Sequence, residues 1–405
     1  MTSHISTPLS YDLVPAEEIF SRISRLQKEL AGKGLDGAVI TDGVNMFYFT
    51  GTMQNGIVFV PAAGEAVFLV RRNLERAAKE TPIKALVAFR SISEIPAALQ
   101  SHGCMVRRVG LDETGIAVSI YKKLSAAFSR TAFEDISLTL SMIRAVKSDY
   151  ELTLIREAGR RHQVIYDRLP GMIYEGMTEW ELGSEIHARM LELGSTGLMR
   201  LSSLSDEFLV GVISFGESGN YPTAGVGPDG LVGLSPAFPF LGGEKRLEKG
   251  EIIFVDTGFS YQGYFSDATR IYALGTVSQA AVDAHGVCLE IQEAVRSRLR
   301  PGMIASEIFK EVYQTEVLPR NFEENFMGFG SNQTPFLGHG IGLVVDEFPV
   351  IAGRVDVPLQ KNMVIAVEPK KGLKGIGLVG VENTFLVTQE GGENLTVGHD
   401  EILVL

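Results

Sequence analysis

Residues 338–349 read GHGIGLVVDEFP, and this stretch does most to decide the fold. The imidazole of His339 stands between Gly338 and Gly340, whose missing side chains let other backbone approach closely. An acidic pair follows the apolar run after the histidine. A lone histidine beside glycines is more often structural than functional, so its meaning depends on which groups elsewhere in the chain could share a site with it.

Two aspartates interrupt the apolar sequence IIFVDTGFSYQGYFSDATRIYALG, at Asp256 and Asp267. If the two apolar runs form a hairpin that turns near Tyr261 and Gln262, both aspartates are equally far from the turn and face each other. Directly opposed side chains have Cβ atoms about 4.5 to 5.5 Å apart. That spacing would let the two carboxylates share a cation, although a β-bulge would change the register.

Two glutamates repeat this arrangement further along the chain. VIAVEP carries Glu368, GLVGVENTFLVT carries Glu382, and the midpoint between them is Gly375, inside the turn-like KKGLKGIG. Acidic residues are rare in such apolar strands. The sequence therefore predicts a second hairpin that brings two more carboxylates together.

Four buried carboxylates would be costly without compensating positive charge. Two divalent cations would return the local charge to zero, and His339 would then be the single nitrogen ligand. An oxygen-rich site with one imidazole suits manganese, iron, cobalt or zinc better than copper. The residues alone therefore indicate a metal site without choosing the metal.

Composition limits the classes of partner. The chain has 405 residues, 45% of them hydrophobic, and a formal net charge of -12, which argues against nucleic acid as a partner. The two cysteines, Cys104 and Cys288, form no disulfide framework and no thiolate metal motif. The start lacks the features of a signal peptide, and no apolar run reaches the roughly 20 residues that span a bilayer. We expect a cytoplasmic protein that does not bind a membrane.

Hydrophobic periodicity predicts two domains. We expect an N-terminal tail over residues 1–12, an α/β domain over 13–145 and an α+β domain over 146–405 that holds all the motifs above. The strands predicted in the first domain are LDGAVITD, NMFYFTG, IVFVP, AVFLV, ALVAF and RRVGLD. In the second domain, residues 151–169 and 178–194 form two long amphipathic patterns separated by a Pro-Gly breaker, which predicts two helices.

The motifs VDTGFSYQGYFSDATR, GHGIGLVVDEFP, VEP and VGVEN, in this order, resemble those of the pita-bread metallopeptidases of family M24, in the branch of Xaa-Pro aminopeptidase, prolidase and creatinase. This resemblance implies a C-terminal pita-bread domain preceded by a smaller creatinase-type α/β domain. It also implies a homodimer.

The resemblance further implies a dinuclear hydrolase that cleaves a small peptide or peptide-like amide bond by a hydroxide bridging two divalent ions of Mn, Co, Fe or Zn. Its implied metal ligands are Asp256, Asp267, His339, Glu368 and Glu382. Glu368 would also act as the general base that accepts the proton of the attacking water. Creatinase shares the fold but lacks this ligand set.

Three departures from the family pattern fall on the substrate side of the site. Thr223, in SGNYPTAG, stands where the peptidases have a substrate-binding histidine. Asp346 replaces the first histidine of the HExP motif, and a carboxylate accepts a hydrogen bond where an imidazole could donate one. Gly380 and Asn383 replace an arginine and an acidic residue on either side of the last glutamate. Thr223 and Asp346 therefore join Glu368 as candidate catalytic residues.

These departures leave more than one function open. Losing a preorganised donor at an oxyanion costs on the order of a hundredfold in rate. A metal-dependent hydrolase of Xaa-Pro peptidase type is the first hypothesis. The alternative is a metal-dependent lyase or other non-peptidase on the same fold, similar to one type of dimethylsulfoniopropionate lyase, with Asp346 as its base. A catalytically silent binding protein is the third hypothesis, and the five intact ligands weigh against it.

Overall fold

The structure is a computed structural model that describes residues 11–202, 208–223, 225 and 227–405. The chain divides into two compact units, Met1–Arg144 and Ala145–Leu405. Within the described ranges, no helix combines the length and the apolar character needed to cross a membrane.

The first unit is an α/β domain built on one mixed sheet with the strand order β4-β3-β2-β1-β5-β6. Its elements are α1 (Ala16–Gly32), β1 (Gly37–Ile40), α2 (Gly43–Thr50), β2 (Gly56–Pro61), β3 (Val67–Val70), α3 (Leu74–Glu80), β4 (Ala85–Ala88), α4 (Ile95–Ser101), β5 (Arg108–Leu111), α5 (Val118–Ala127), β6 (Ala132–Asp135) and α6 (Ser137–Ala145). Strands β1, β2 and β3 pair antiparallel, whereas β4, β5 and β6 join in parallel.

The strand predicted over NMFYFTG is wrong, because these residues belong to helix α2. The side chain of Asp42 accepts a hydrogen bond from the backbone N–H of Asn45 (2.7 Å) and so caps the helix start. Gly51 ends the helix in a left-handed conformation with φ of 77°. A short, fully apolar run has the same composition in a buried helix as in a strand, so the capping residues decide between them.

The second unit contains the two long helices, the two hairpins and the glycine-flanked histidine strand. Its elements are α7 (Asp149–Arg168), α8 (Glu179–Glu192), β7 (Leu198–Met199), β8 (Phe208–Leu209), β9 (Gly211–Phe215), β10 (Ile252–Tyr261), β11 (Tyr264–Ala273), α9 (Gln279–Arg296), α10 (Ala305–Val312), β12 (Phe336–Gly340), β13 (Glu347–Ala352), β14 (Val364–Val367), β15 (Lys370–Leu373), β16 (Gly377–Gly380), β17 (Asn383–Thr388), β18 (Gly391–Asn394) and β19 (Leu403–Val404).

Two larger sheets organise this unit. One has the order β19-β11-β10-β9 and the other has the order β13-β12-β14-β17-β18, while β15 and β16 form a two-stranded extension. A backbone bridge between Thr269 and Glu382 joins the two hairpins. The hairpins therefore meet where their acidic residues lie.

Helices α7 and α8 cover one face of the first of these sheets. Each helix begins with a capping box, formed by Ser148 with Glu151 in α7 and by Thr178 with Glu181 in α8. Their apolar faces pack against β9, β10 and β11 in a core that includes Ile165, Leu169, Ile186, Met190, Ile213, Ile253 and Val255. The two helices therefore pack against the strands that carry the aspartates.

Candidate metal centre

The first pair of acidic residues lies on the β10–β11 hairpin, but not in direct opposition. Asp256 pairs with Thr269, and Asp267 pairs with Gly258. The predicted face-to-face register is therefore wrong by two residues. Because side chains alternate with a period of two, both aspartates still point to the same face, as diagonal neighbours.

The position of the turn causes this shift. Gln262 and Gly263 occupy the two-residue loop with φ of 48° and 90°, and Tyr261 pairs with Tyr264. A hairpin loop of this kind needs positive φ at both central residues, and glycine adopts it at no steric cost. The turn therefore lies one residue later than the Tyr261–Gln262 position expected from the sequence.

The second hairpin is confirmed with its predicted midpoint. Strands β14 and β17 pair Val367 with Asn383, and strands β15 and β16 pair Lys370 with Gly380 in the same register. Glu368 and Glu382 fall between these pairs and therefore lie opposite each other. Both are buried, with 4% and 1% of their surface exposed.

His339 lies on β12, between β13 and β14. The glycines on either side of it let the backbone of these neighbouring strands approach closely. A Cβ atom on Gly338 would lie 2.3 Å from the carbonyl oxygen of Ala366, and one on Gly340 would lie 2.5 Å from that of Phe348. Only glycine permits this close approach of neighbouring backbone. The Nδ1 atom of His339 is 3.1 Å from the carbonyl oxygen of Gly340, so a proton on Nδ1 leaves Nε2 free to act as a ligand.

The predicted ligands come together in two adjacent groups. The first group is Asp267, His339 and Glu382, whose potential ligand atoms all lie within 4.8 Å of one another. The buried atoms Asp267 Oδ1 and Glu382 Oε1 have no hydrogen-bond partner among the described residues. A buried carboxylate oxygen without a partner is costly. This donor set, with two carboxylates and one imidazole, fits a divalent cation.

The second group contains two predicted ligands and one residue that sequence reasoning missed. Asp256 and Glu368 lie with Asp229, again with their ligand atoms within 4.8 Å of one another. The ammonium group of Lys370, fully buried, already lies among these carboxylates, 2.5 Å from Asp256 Oδ2 and 2.7 Å from Glu368 Oε2. The second group therefore already contains a cation that belongs to the protein itself.

The pKa values in the cluster reflect an excess of buried negative charge. Burial raises the pKa of Asp256 and of Asp267 well above the ordinary value, and Glu382 raises that of Asp267 further. Burial lowers the pKa of Lys370, but Asp229 and the other carboxylates outweigh this effect and hold its pKa well above the ordinary value. Added positive charge would relieve this repulsion between carboxylates.

The groups open onto a cavity of about 290 Å³. Its lining includes the five carboxylates of the two groups, Asp346, and the apolar residues Met199, Leu201, Val212, Phe336, Val345 and Val350. A cavity of this size, with convergent polar groups and apolar walls, is suited to a small substrate.

Of the two substrate-side candidates, only Asp346 lines this cavity. Its Oδ1 accepts a hydrogen bond from the backbone N–H of Ser202 (2.7 Å), and its Oδ2 accepts one from the Ser202 hydroxyl (2.6 Å). Thr223 is not among the described lining residues, and its hydroxyl donates to the carbonyl of Pro239 at 3.1 Å. The structure therefore places Thr223 outside the candidate site, bonded within its own loop.

A sequence signal exists for one of the two missed residues, Lys370, and none exists for the other, Asp229. Lys370 follows the VEP motif directly, so its place beside Glu368 was readable once that motif was taken as part of a site. Asp229 lies in GPDG, a sequence typical of a turn, and nothing local distinguishes it from a surface residue.

Comparisons with known proteins agree with this geometry. The profile of metallopeptidase family M24 matches residues 153–389, and that of the creatinase/prolidase N-terminal domain matches residues 22–146. The chain is 26% identical over 383 residues to a Xaa-Pro dipeptidase of Pyrococcus furiosus, covering 94% of this chain and 99% of the relative. A Xaa-Pro dipeptidase of Pyrococcus horikoshii is 23% identical over 384 residues, covering 94% of this chain and 98% of the relative.

Solved structures share the fold over nearly the whole chain. The X-Pro aminopeptidase of Thermotoga maritima superposes with a TM-score of 0.78 at 23% identity, covering 95% of this chain and 99% of its own. The Xaa-Pro dipeptidase of Bacillus anthracis gives a TM-score of 0.79 at 24% identity, covering 96% and 100%. With the family profile spanning more than half of its length, the chain belongs to metallopeptidase family M24, as a pita-bread domain preceded by a creatinase-type N-terminal domain.

Proposed function

We propose that this protein is a metal-dependent peptidase that hydrolyses small Xaa-Pro peptides or related amides. The observation that carries the proposal is the group formed by Asp267, His339 and Glu382 beside a small cavity, in which Asp267 Oδ1 and Glu382 Oε1 are buried without a hydrogen-bond partner among the described residues. A divalent ion held there would supply Lewis acidity, polarising a carbonyl oxygen and lowering the pKa of water.

The chain's own residues would orient the reactants and carry the proton. Glu368 lines the cavity and belongs to the second group, and its Oε1 atom is 3.3 Å from Nε2 of His339 in the first group. From that position Glu368 would accept the proton of the attacking water and pass it to the leaving amine. The hydrogen bond from Nδ1 of His339 to Gly340 would fix the imidazole orientation that this geometry requires.

The substrate class follows from the cavity and from the relatives. The relatives from Pyrococcus are named as Xaa-Pro dipeptidases, and the cavity of about 290 Å³ suits a dipeptide better than a long peptide. The apolar part of the lining would accommodate a proline ring and an apolar side chain.

A substrate screen tests this proposal. The metal-free protein would be loaded separately with manganese, cobalt, iron or zinc and assayed against Xaa-Pro dipeptides, longer prolyl peptides and small sulfonium compounds. We expect turnover of the dipeptides, its loss in His339→Ala, and no change in His102→Ala, which removes an exposed histidine of the other unit. No turnover of any prolyl peptide with any metal would contradict the proposal.

The lyase alternative is not favoured. Both carboxylate oxygens of Asp346, its proposed base, already accept hydrogen bonds from Ser202, so a substrate proton would have to compete with Ser202 for them. The relatives are also named as peptidases. Elimination from a sulfonium compound in the same screen would reverse this preference.

We further propose manganese as the native metal, a homodimer, a cytoplasmic location, and domains bounded at residues 1–12, 13–145 and 146–405. The oxygen-rich ligand set supports manganese, and the few cysteines support a reducing compartment. The dimer rests on the family resemblance alone, and light scattering of the purified protein would test it.

A further inference from the structure

The buried ammonium group of Lys370 is surrounded by carboxylates. Its Nζ atom is 2.5 Å from Asp256 Oδ2, 2.7 Å from Glu368 Oε2, 2.9 Å from Asp229 Oδ1 and 3.3 Å from Glu382 Oε2. No surface of its side chain is exposed. Four oxygen atoms from four residues surround the ammonium nitrogen, as they would surround a bound metal cation. Here the cation is the side chain of the protein's own lysine.

Two glutamates divide their oxygen atoms between this ammonium group and the imidazole. Glu368 Oε1 is 3.3 Å from His339 Nε2, while its Oε2 faces Lys370. Glu382 does the same, with Oε1 at 3.7 Å from His339 Nε2 and Oε2 facing Lys370. Carboxylates that bridge two cations have this arrangement, so Lys370 lies where a second cation would lie.

Neighbouring residues make room for this lysine. Gly380 pairs with Lys370 across the β15–β16 ladder, and a Cβ atom on Gly380 would lie 2.9 Å from Lys370 Cγ and 2.7 Å from its Cα. The ring of Phe254 lies 5.6 Å from Nζ. Asp229 adds a carboxylate to the predicted four. A long cationic side chain fits this environment, because Gly380 leaves space, Phe254 offers an aromatic ring and Asp229 adds a negative charge.

We propose that Lys370 permanently occupies the second cation position, so that this chain binds one divalent ion, in the group of Asp267, His339 and Glu382. Two ions were expected from the resemblance. Charge alone would favour a second ion, because the five carboxylates carry more charge than Lys370 and one divalent ion together neutralise. The position of the ammonium group argues against a second ion, because that ion could reach the same oxygen atoms only by approaching the ammonium group closely. Like charges repel strongly at such a distance.

This inference rests on the proposed function's claim that the first group binds metal, and its test separates the two. Metal-free protein would be loaded with excess Mn²⁺, freed of unbound metal and analysed by mass spectrometry for metal per chain. Electron paramagnetic resonance would distinguish isolated Mn²⁺ from a spin-coupled pair. The variants are Lys370→Ala and, as the matched control, Lys371→Ala, whose ammonium group donates instead to backbone carbonyls of Phe322 and Glu324.

We expect one isolated Mn²⁺ in the wild-type protein and in Lys371→Ala, and a coupled pair in Lys370→Ala. Two ions in the wild-type protein would overturn the inference and leave the proposed function standing, and this measurement needs no variant to fold. A single ion in a folded Lys370→Ala would also overturn it. No bound metal in any of the proteins would overturn both the inference and the proposed function.

Discussion

Replacing Gly338 by alanine should impair the site while the protein still folds. The new Cβ atom would lie 2.3 Å from the carbonyl oxygen of Ala366, and Cβ contacts under 3.0 Å essentially do not occur, so β12 and β14 must separate by at least about 0.7 Å. That movement separates His339 from Glu368, which are now 3.3 Å apart between Nε2 and Oε1. A misplacement of about 1 Å costs roughly a hundredfold in rate, and the forced repacking costs about 1 to 3 kcal/mol of stability.

The assay would compare kcat/KM for a Xaa-Pro dipeptide, the affinity for Mn²⁺ and the urea unfolding midpoint. Gly286→Ala is the matched control, because Gly286 lies in helix α9 and a Cβ atom added there would meet no other atom within 4 Å. Alanine there should stabilise the helix by up to about 1 kcal/mol and leave kcat/KM unchanged.

The reasoning is refuted if Gly338→Ala folds with wild-type metal affinity and wild-type kcat/KM. That result would mean that close backbone packing at Gly338 does not determine where the imidazole of His339 lies. An equal loss of activity in Gly286→Ala would show instead that the assay reports general damage.

Two further predictions concern stability. Burial lowers the pKa of His162 to about 3. Between about pH 3 and 6.5 the unfolded chain therefore binds a proton at this histidine that the folded chain does not bind. The free energy of unfolding should fall by about 1.4 kcal/mol for each pH unit by which the pH is lowered in this range. Urea unfolding at several pH values should show this slope reduced in His162→Gln; an unchanged slope would contradict it. Lys147→Met should lower the free energy of unfolding by about 3 kcal/mol, because it breaks a buried ion pair with Glu347 (3.1 Å). Adding Glu347→Gln should recover part of this loss, and a purely additive double variant would count against the pair.

The sequence was most informative where the chain repeats a simple pattern. Glu368 and Glu382 lie symmetrically about Gly375, and the structure keeps that register on both sides of the pair. The aspartate hairpin was predicted with the turn one residue early. Gly263 could have corrected this prediction, because a glycine at the second loop position favours a turn on Gln262 and Gly263.

The least predictable feature was the lysine inside the acidic cluster. Lysine is almost never fully buried unless paired, so sequence patterns assign it to the surface. Lys370 is buried because four carboxylates converge on it, and two of them come from distant segments: Asp256, and Asp229 in a loop whose sequence is typical of a turn. Only its neighbour Glu368 is visible in the local sequence, and the rest of the arrangement depends on tertiary structure.

The two substituted positions on the substrate side also needed the structure. Thr223 and Asp346 were equal candidates by position in the motifs, but only Asp346 lines the cavity. The hydroxyl of Thr223 is bonded to Pro239 in the same loop. The path of a long loop is set by its packing, which the order of its residues does not reveal.

The most direct test of the account is a metal titration of the chelator-treated, metal-free protein, followed by hydrolysis of a Xaa-Pro dipeptide at each step. Turnover should be absent at the start, rise in proportion to bound Mn²⁺ and saturate when the group of Asp267, His339 and Glu382 is full. Full turnover by the metal-free protein in the presence of chelator would contradict the account.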